Sequence, residues 1–138
     1  MKITERKIKL LTLEDGKCPF SEWFDGIKDI KTSATIDARL ARVEAGNLGD
    51  HKEVGGGVWE LRIDLGPGYR VYYAEHEQVI VVLLGGGVKK RQGADINRAK
   101  DLWEKNGNDP ERLQRDLRAQ DAGQGVLGRL PGSVPGGE

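Results

Sequence analysis

Apolar and polar residues alternate most regularly between residues 57 and 75, GVWELRIDLGPGYRVYYAE. A period of two over 58–65 predicts a half-buried strand, and the same pattern predicts a second over 69–74. Gly66-Pro67-Gly68 between them is turn chemistry and makes the pair a hairpin. With Leu65 set against Tyr69, Ile63 faces Val71 and Leu61 faces Tyr73, while Asp64 meets Arg70 and Arg62 meets Tyr72. One face is then wholly apolar. The other gathers Glu60, Arg62, Asp64, Arg70 and Tyr72, with the two arginines as diagonal neighbours.

The remaining periodicities predict the partners of this hairpin. Residues 3–13, rich in β-branched and apolar positions but interrupted by charge, predict an edge strand. Phe20, Trp23, Phe24 and Ile27 fall at helical spacing behind Pro19. Ile36, Leu40 and Val43 recur at i, i+4 and i+7 in a second helix, with Thr32 or Ser33 as its cap, Asp37, Arg39 and Arg42 turned to solvent, and Gly46 as its stop. Residues 47–57, NLGDHKEVGGG, read as a flexible loop. QVIVVLLG is apolar on both faces and predicts an interior strand over 79–84. ADINRAKDLWEKNG predicts a short helix capped by Asp95, with Ile96, Ala99 and Trp103 inward. The pattern is α+β: an antiparallel sheet packed on one face by two N-terminal helices, with a short C-terminal helix. A domain over 1–105 and a tail over 106–138 follow, the tail polar, then Gly/Pro-rich and expected to be largely disordered.

At 138 residues the chain is the size of one domain. Hydrophobic residues at 37% and charged residues at 32% describe an ordinary globular protein, and a formal net charge of zero argues against coating nucleic acid by bulk attraction. A local basic site is still compatible with that balance. Cys18 is the only cysteine, so no intrachain disulfide forms, and it reads as a buried or half-buried thiol. No stretch has the pattern of a signal peptide or membrane span, which makes the cytoplasm the expected compartment. His51 and His76 have no acidic or cysteine companions at ligand spacing, so neither a metal nor another cofactor is expected. The triglycines at 55–57 and 85–87 lack the strand, Gly-rich turn and Lys-Ser/Thr order of a nucleotide-binding loop, and both read as flexible loop.

The chemistry-bearing residues are Arg62, Arg70 and Lys89-Lys90-Arg91. On one rim, two planar guanidiniums and mobile ammonium groups would clamp a phosphodiester. The plainer reading pairs Arg70 with Asp64 across the hairpin and leaves the lysines as solvated turn residues. Trp23, Phe24, Trp59 and Trp103 read as core. Alternation buries Tyr73 and leaves Tyr72 beside the arginines with its hydroxyl free.

WELRID, GPGYRVYY, VIVVLL and GGGVKKRQGADINRAKDLW, in that order, resemble the RelE/ParE toxin superfamily, specifically its HigB-like addiction-module-killer branch with phage-derived relatives. The resemblance covers residues 2–105. It implies a type II toxin: a metal-independent mRNA endoribonuclease that inhibits translation, works on the ribosome and is neutralised by a small helix-turn-helix antitoxin. By matching position it implies Arg62, Arg70 and Lys90 as catalytic and Lys89 as RNA-binding; Tyr72 joins the catalytic set as the nearest substitute for a proton-exchanging tyrosine, and Arg91 and Gln92 beside the lysines join the RNA-binding set. Two departures stand out: RelE's tyrosine at the start of its last helix is matched here by Ile96, and Glu60 stands where RelE carries a lysine. The alternatives are a ParE-like gyrase inhibitor and a decayed toxin that only binds its antitoxin.

Overall fold

The computed structural model describes residues 5–77, 79–113 and the backbone of 115–116. Its elements in chain order are β1 (Lys7–Leu10), α1 (Pro19–Asp25), α2 (Ile30–Glu44), β2 (His51–Gly55), β3 (Val58–Ile63), β4 (Tyr69–His76), β5 (Ile80–Val88), α3 (Gln92–Asn106) and the two-residue β6 (Arg115–Asp116). The strands form one sheet in the order β2-β3-β4-β5-β1-β6. The class is α+β, consistent with the RelE-like arrangement. The sheet is mixed, because β1 runs parallel to β5 whereas the other neighbouring pairs are antiparallel.

The first face of the sheet carries the larger core. Phe20 and Phe24 from α1, Ile36, Leu40 and Val43 from α2, and Leu61, Ile63, Val71, Tyr73, Val81 and Leu83 from the strands are buried together. That is the apolar face expected from alternation. Helix α2 begins earlier than expected, at Ile30, so its N-cap is Asp29 and not Thr32 or Ser33. The Thr32 hydroxyl donates to the Asp29 carboxylate at 2.6 Å. Arg39, expected in solvent, is buried, and its guanidinium donates to the Asp50 carbonyl at 3.0 Å.

The segment expected as a loop contains β2. His51, Lys52 and Glu53 pair with Leu61, Glu60 and Trp59, and Gly55-Gly56-Gly57 turns the chain into β3 with φ of +100°, +64° and +80°. Only glycine holds three successive positive φ values at low cost, so this triglycine is a tight hairpin turn. Its alternation is hidden because the exposed edge strand HKEVG has few apolar residues.

The second face is covered by α3. Ala99, with Ile96, Leu102 and Trp103 around it, packs over Val58, Tyr72, Ala74, Val82 and Leu84. Leu113, in the short 3-10 turn Pro110–Leu113, is buried in the same cluster. The Thr12 amide donates to the Arg112 carbonyl, and β6 pairs with Lys9 and Leu10 of β1. The chain after Asn106, expected to add nothing to the core, therefore closes over β1 as far as these residues; the rest of the expected disordered tail lies outside the described residues. Among the described residues no helix is long and apolar enough to cross a membrane.

Candidate functional site

The β3–β4 hairpin sets Arg62 directly opposite Arg70, and Glu60 opposite Tyr72. The register is two residues from the expected one, because the turn takes up Asp64 to Gly68: the Leu65 amide donates to the Ile63 carbonyl and the Gly68 amide to the Leu65 carbonyl. A shift of two keeps every side chain on its face. The grouping expected from alternation is kept, but the arginines are direct neighbours, and Asp64, the expected partner of Arg70, is exposed beyond the end of β3.

Like charges directly opposite one another in a sheet repel. Glu60 relieves this. Arg62 donates through Nε to Glu60 Oε1 at 3.0 Å, and Arg70 Nε stands 3.7 Å from Oε2 as an ion pair. Gln92, at the start of α3, donates to Oε2 at 2.6 Å. The Glu60 side chain is 0% exposed, against 33% for Arg62 and 10% for Arg70. A buried carboxylate is tolerated only when paired and hydrogen-bonded, as this one is. The hydrogen bond from Arg62 to Glu60, against a smaller desolvation penalty, raises the Arg62 guanidinium further above its ordinary pKa. One carboxylate against two guanidiniums leaves the trio cationic, with Arg62 as its more exposed member.

The next cations arrive from the end of β5. The Lys89 amide donates to the Gly68 carbonyl at 2.7 Å. A methyl group on Gly68 would come within 3.2 Å of Lys89 Cβ and 3.5 Å of Arg70 Nη1, so these two side chains flank the same glycine. Lys90 and Arg91 complete the exposed 3-10 turn Lys89–Arg91. Arg62, Arg70 and Lys89 thus converge on one rim, with Gln92 holding Glu60 beneath it instead of facing solvent freely.

Tyr72 departs from expectation. It is 1% exposed beneath α3, and its hydroxyl makes no well-formed hydrogen bond, although it lies within the field of Glu60. Burial first, then the negative charges of Glu60 and Asp95, push its pKa well above the ordinary tyrosine value. A hydroxyl so enclosed cannot touch a bound chain. Asp95 is not the cap of α3, which starts three residues earlier; it lies in the first turn, and burial raises its carboxyl pKa against the lowering influence of Arg91 and Arg98. Ile96 is a half-buried core residue.

What sequence reasoning missed is the central place of Glu60. The signal was available: Glu60 and Arg62 are i and i+2 on one strand and so share a face. What the pattern could not supply was the helix that seals that face.

The family described as phage-derived protein Gp49-like matches residues 22–104, from within α1 to within α3. An uncharacterized protein of Haemophilus influenzae is 47% identical over 81 residues, which make up 59% of this chain and 82% of that relative.

Proposed function

The chain belongs to the phage-derived Gp49-like family, within the RelE-like toxin group, and we propose that it is a HigB-like toxin that cleaves mRNA. The observation that carries this reading is the rim itself: Arg62 and Arg70 directly opposed on neighbouring strands, with Lys89 flanking the same glycine, Gly68, as Arg70. Two directly opposed arginines repel and need a buried carboxylate to hold them together in a sheet, whereas paired guanidiniums suit a phosphodiester anion.

RNA supplies its own nucleophile, the ribose 2′-hydroxyl, so the protein needs to position the chain, stabilise charge at phosphorus and manage protons. Arg62 and Arg70 bind the non-bridging oxygens, and their attraction strengthens as negative charge builds in the transition state. Glu60 does not touch RNA. It holds both guanidiniums in place before the substrate arrives, which is the preorganisation this kind of catalysis requires. With Tyr72 enclosed, the proton for the leaving 5′ oxygen falls to the exposed Lys90 of the turn beside the rim, and Lys89 and Arg91 hold the flanking backbone. Attack by the 2′ oxygen, whose proton passes to solvent water, forms a 2′,3′-cyclic phosphate as the bond from phosphorus to the 5′ oxygen breaks, and releases a 5′-hydroxyl end. No step uses a metal.

The antitoxin in this reading is a small helix-turn-helix protein encoded next to the toxin, presenting acidic side chains to the cationic rim. Inducing the protein should arrest growth and cut ribosome-bound mRNA, and co-expressing its neighbour should relieve both. Arrest with intact mRNA and broken chromosomal DNA would replace this reading with a gyrase-directed toxin. Stable binding to the neighbour without either effect would mark a toxin that has lost its activity.

A further inference from the structure

Beside the rim, β5 has an open edge. β1 accompanies β5 only to Leu83, whose carbonyl accepts from the Leu11 amide. Further along, the Lys89 amide points toward β4, so by alternation the amides and carbonyls of Gly86 and Val88 point the other way, away from β4. A cleft of about 380 Å³ lies there, between α1 on one face of the sheet and α3 on the other. That volume is in the range of small-ligand pockets.

The residues around this edge are unusual for a strand end. Trp23 of α1 lies so close on Gly86 that a methyl group there would collide with the indole ring, and Asp95 Oδ2 stands against Gly87 in the same way. Glycine at both positions lets an aromatic wall and a carboxylate close on the backbone from opposite sides. Arg91 and Arg98 line the same cleft, with Glu22 opposite.

We propose that this cleft is a base-recognition pocket that takes a guanine of the bound RNA. This rests on the reading of the adjoining rim as an RNA site. Two guanidiniums against two carboxylates give a lining with no excess charge, which suits a neutral heterocycle carrying both donors and acceptors better than it suits a phosphate. Guanine offers O6 and N7 to an arginine, and its N1–H and N2–H pair to a carboxylate. Trp23 supplies an aromatic surface for the ring, of the kind that holds single-stranded bases. Burial raises the Asp95 carboxyl pKa against the lowering influence of Arg91 and Arg98, which places both guanidiniums in its field. The cleft adjoins the phosphate rim, since Gly87 is the direct strand partner of Arg70 and Arg91 ends the turn that carries Lys89. An open edge could also accept an extended peptide, but here the outward-facing backbone is limited to Gly86 and Val88 and is walled on both faces, too short for an added strand.

The test is titration of the full chain with GMP, AMP, CMP and UMP by calorimetry, alongside inorganic phosphate. GMP should bind about tenfold more tightly than AMP, CMP or UMP, and AMP binding as tightly as GMP would also overturn the guanine assignment. Asp95→Asn and the exposed-site variant Arg98→Ala should each remove most of that preference while leaving phosphate binding unchanged. Arg62→Ala should do the reverse, weakening phosphate and all four nucleotides alike. Equal affinity for the four nucleotides, or a guanine preference that survives both cleft variants, overturns the pocket. Failure of the RNA reading looks different: phosphate binding and RNA cleavage would then be indifferent to Arg62→Ala, whatever the cleft does.

Discussion

The two faces of the sheet are both covered by helices, yet they are built on opposite terms. Under α1 and α2 the strands present Leu61, Ile63, Val71, Tyr73, Val81 and Leu83, whose buried side chains are apolar apart from the Tyr73 hydroxyl. Under α3 the same strands present Val58, Tyr72, Ala74, Val82 and Leu84 alongside Glu60, Arg62 and Arg70. The first face can be as large and close-packed as the chain allows. The second gives up apolar area to hold charges at its rim, and α3 has to serve as lid for the core at one end and as support for the ionic cluster, through Gln92, at the other. Stability should therefore reside mainly on the first face and activity on the second, with Glu60 the point at which the two are linked.

The largest expected effect, on cleavage and stability together, breaks that division at its link. Arg70→Ala takes away one of the two cations beside the buried Glu60 carboxylate, which Arg62 and Gln92 still hold, so stability should fall by about 1 to 3 kcal/mol. Chemical denaturation should show that loss together with loss of RNA cleavage, whereas a purely superficial arginine would leave the midpoint unchanged. Phe20→Ala sharpens the contrast from the other side. Phe20 is fully buried and stacks on Phe24 with ring centroids 5.7 Å apart. Its truncation should lower stability by about 3 to 5 kcal/mol and leave cleavage per folded molecule unaltered.

A smaller loss is expected where the chain after α3 closes over β1. Leu113→Ala should reduce stability by about 2 to 3 kcal/mol, because a nearly buried leucine in the second cluster is replaced by a cavity. A thermal melt unchanged by this substitution would show that the segment contributes nothing to the core.

Much of the division was legible in the residues. Alternation in WELRID and GYRVYY assigned each side chain to its face, and a register off by two could not disturb that assignment because the strand period is two. The i, i+4 and i+7 spacing of Ile36, Leu40 and Val43 found the buried stripe of α2. Local pattern does not carry what depends on distant chain. Tyr72 and Glu60 read as exposed because nothing in their own strands announces that α3 will lie over them. Arg39 read as solvated because its partner, the Asp50 carbonyl, is a backbone atom eleven residues away. The glycines at 86 and 87 read as loop because their reason is the approach of Trp23 and Asp95, which belong to two other elements.

The smallest expected effect concerns pH. Burial, with a smaller contribution from Glu75, pushes the Tyr73 pKa from 10.0 to about 12. Since the folded-state pKa is the higher one, this contribution to stability is complete below pH 10 and is lost as pH rises toward 12. The loss should be on the order of 2 kcal/mol across that window. Tyr73→Phe should flatten the alkaline limb of the stability profile and leave cleavage at neutral pH unchanged, since among the described residues the Tyr73 hydroxyl has no hydrogen-bond partner to lose. The same limb in both proteins would assign the alkaline loss to other groups.

The central claim is that the opposed arginines act on RNA, and Arg62 isolates it best because it is the more exposed of the pair and leaves Glu60 still held by Arg70 and Gln92. The direct measurement is the rate of cleavage of ribosome-bound mRNA by Arg62→Ala, with the melting temperature taken on the same preparation. The account predicts a loss of roughly a hundred- to a thousandfold in rate, as for removal of one preorganised donor at a transition state, in a protein that still unfolds cooperatively. Cleavage at the rate of the unaltered protein would contradict it.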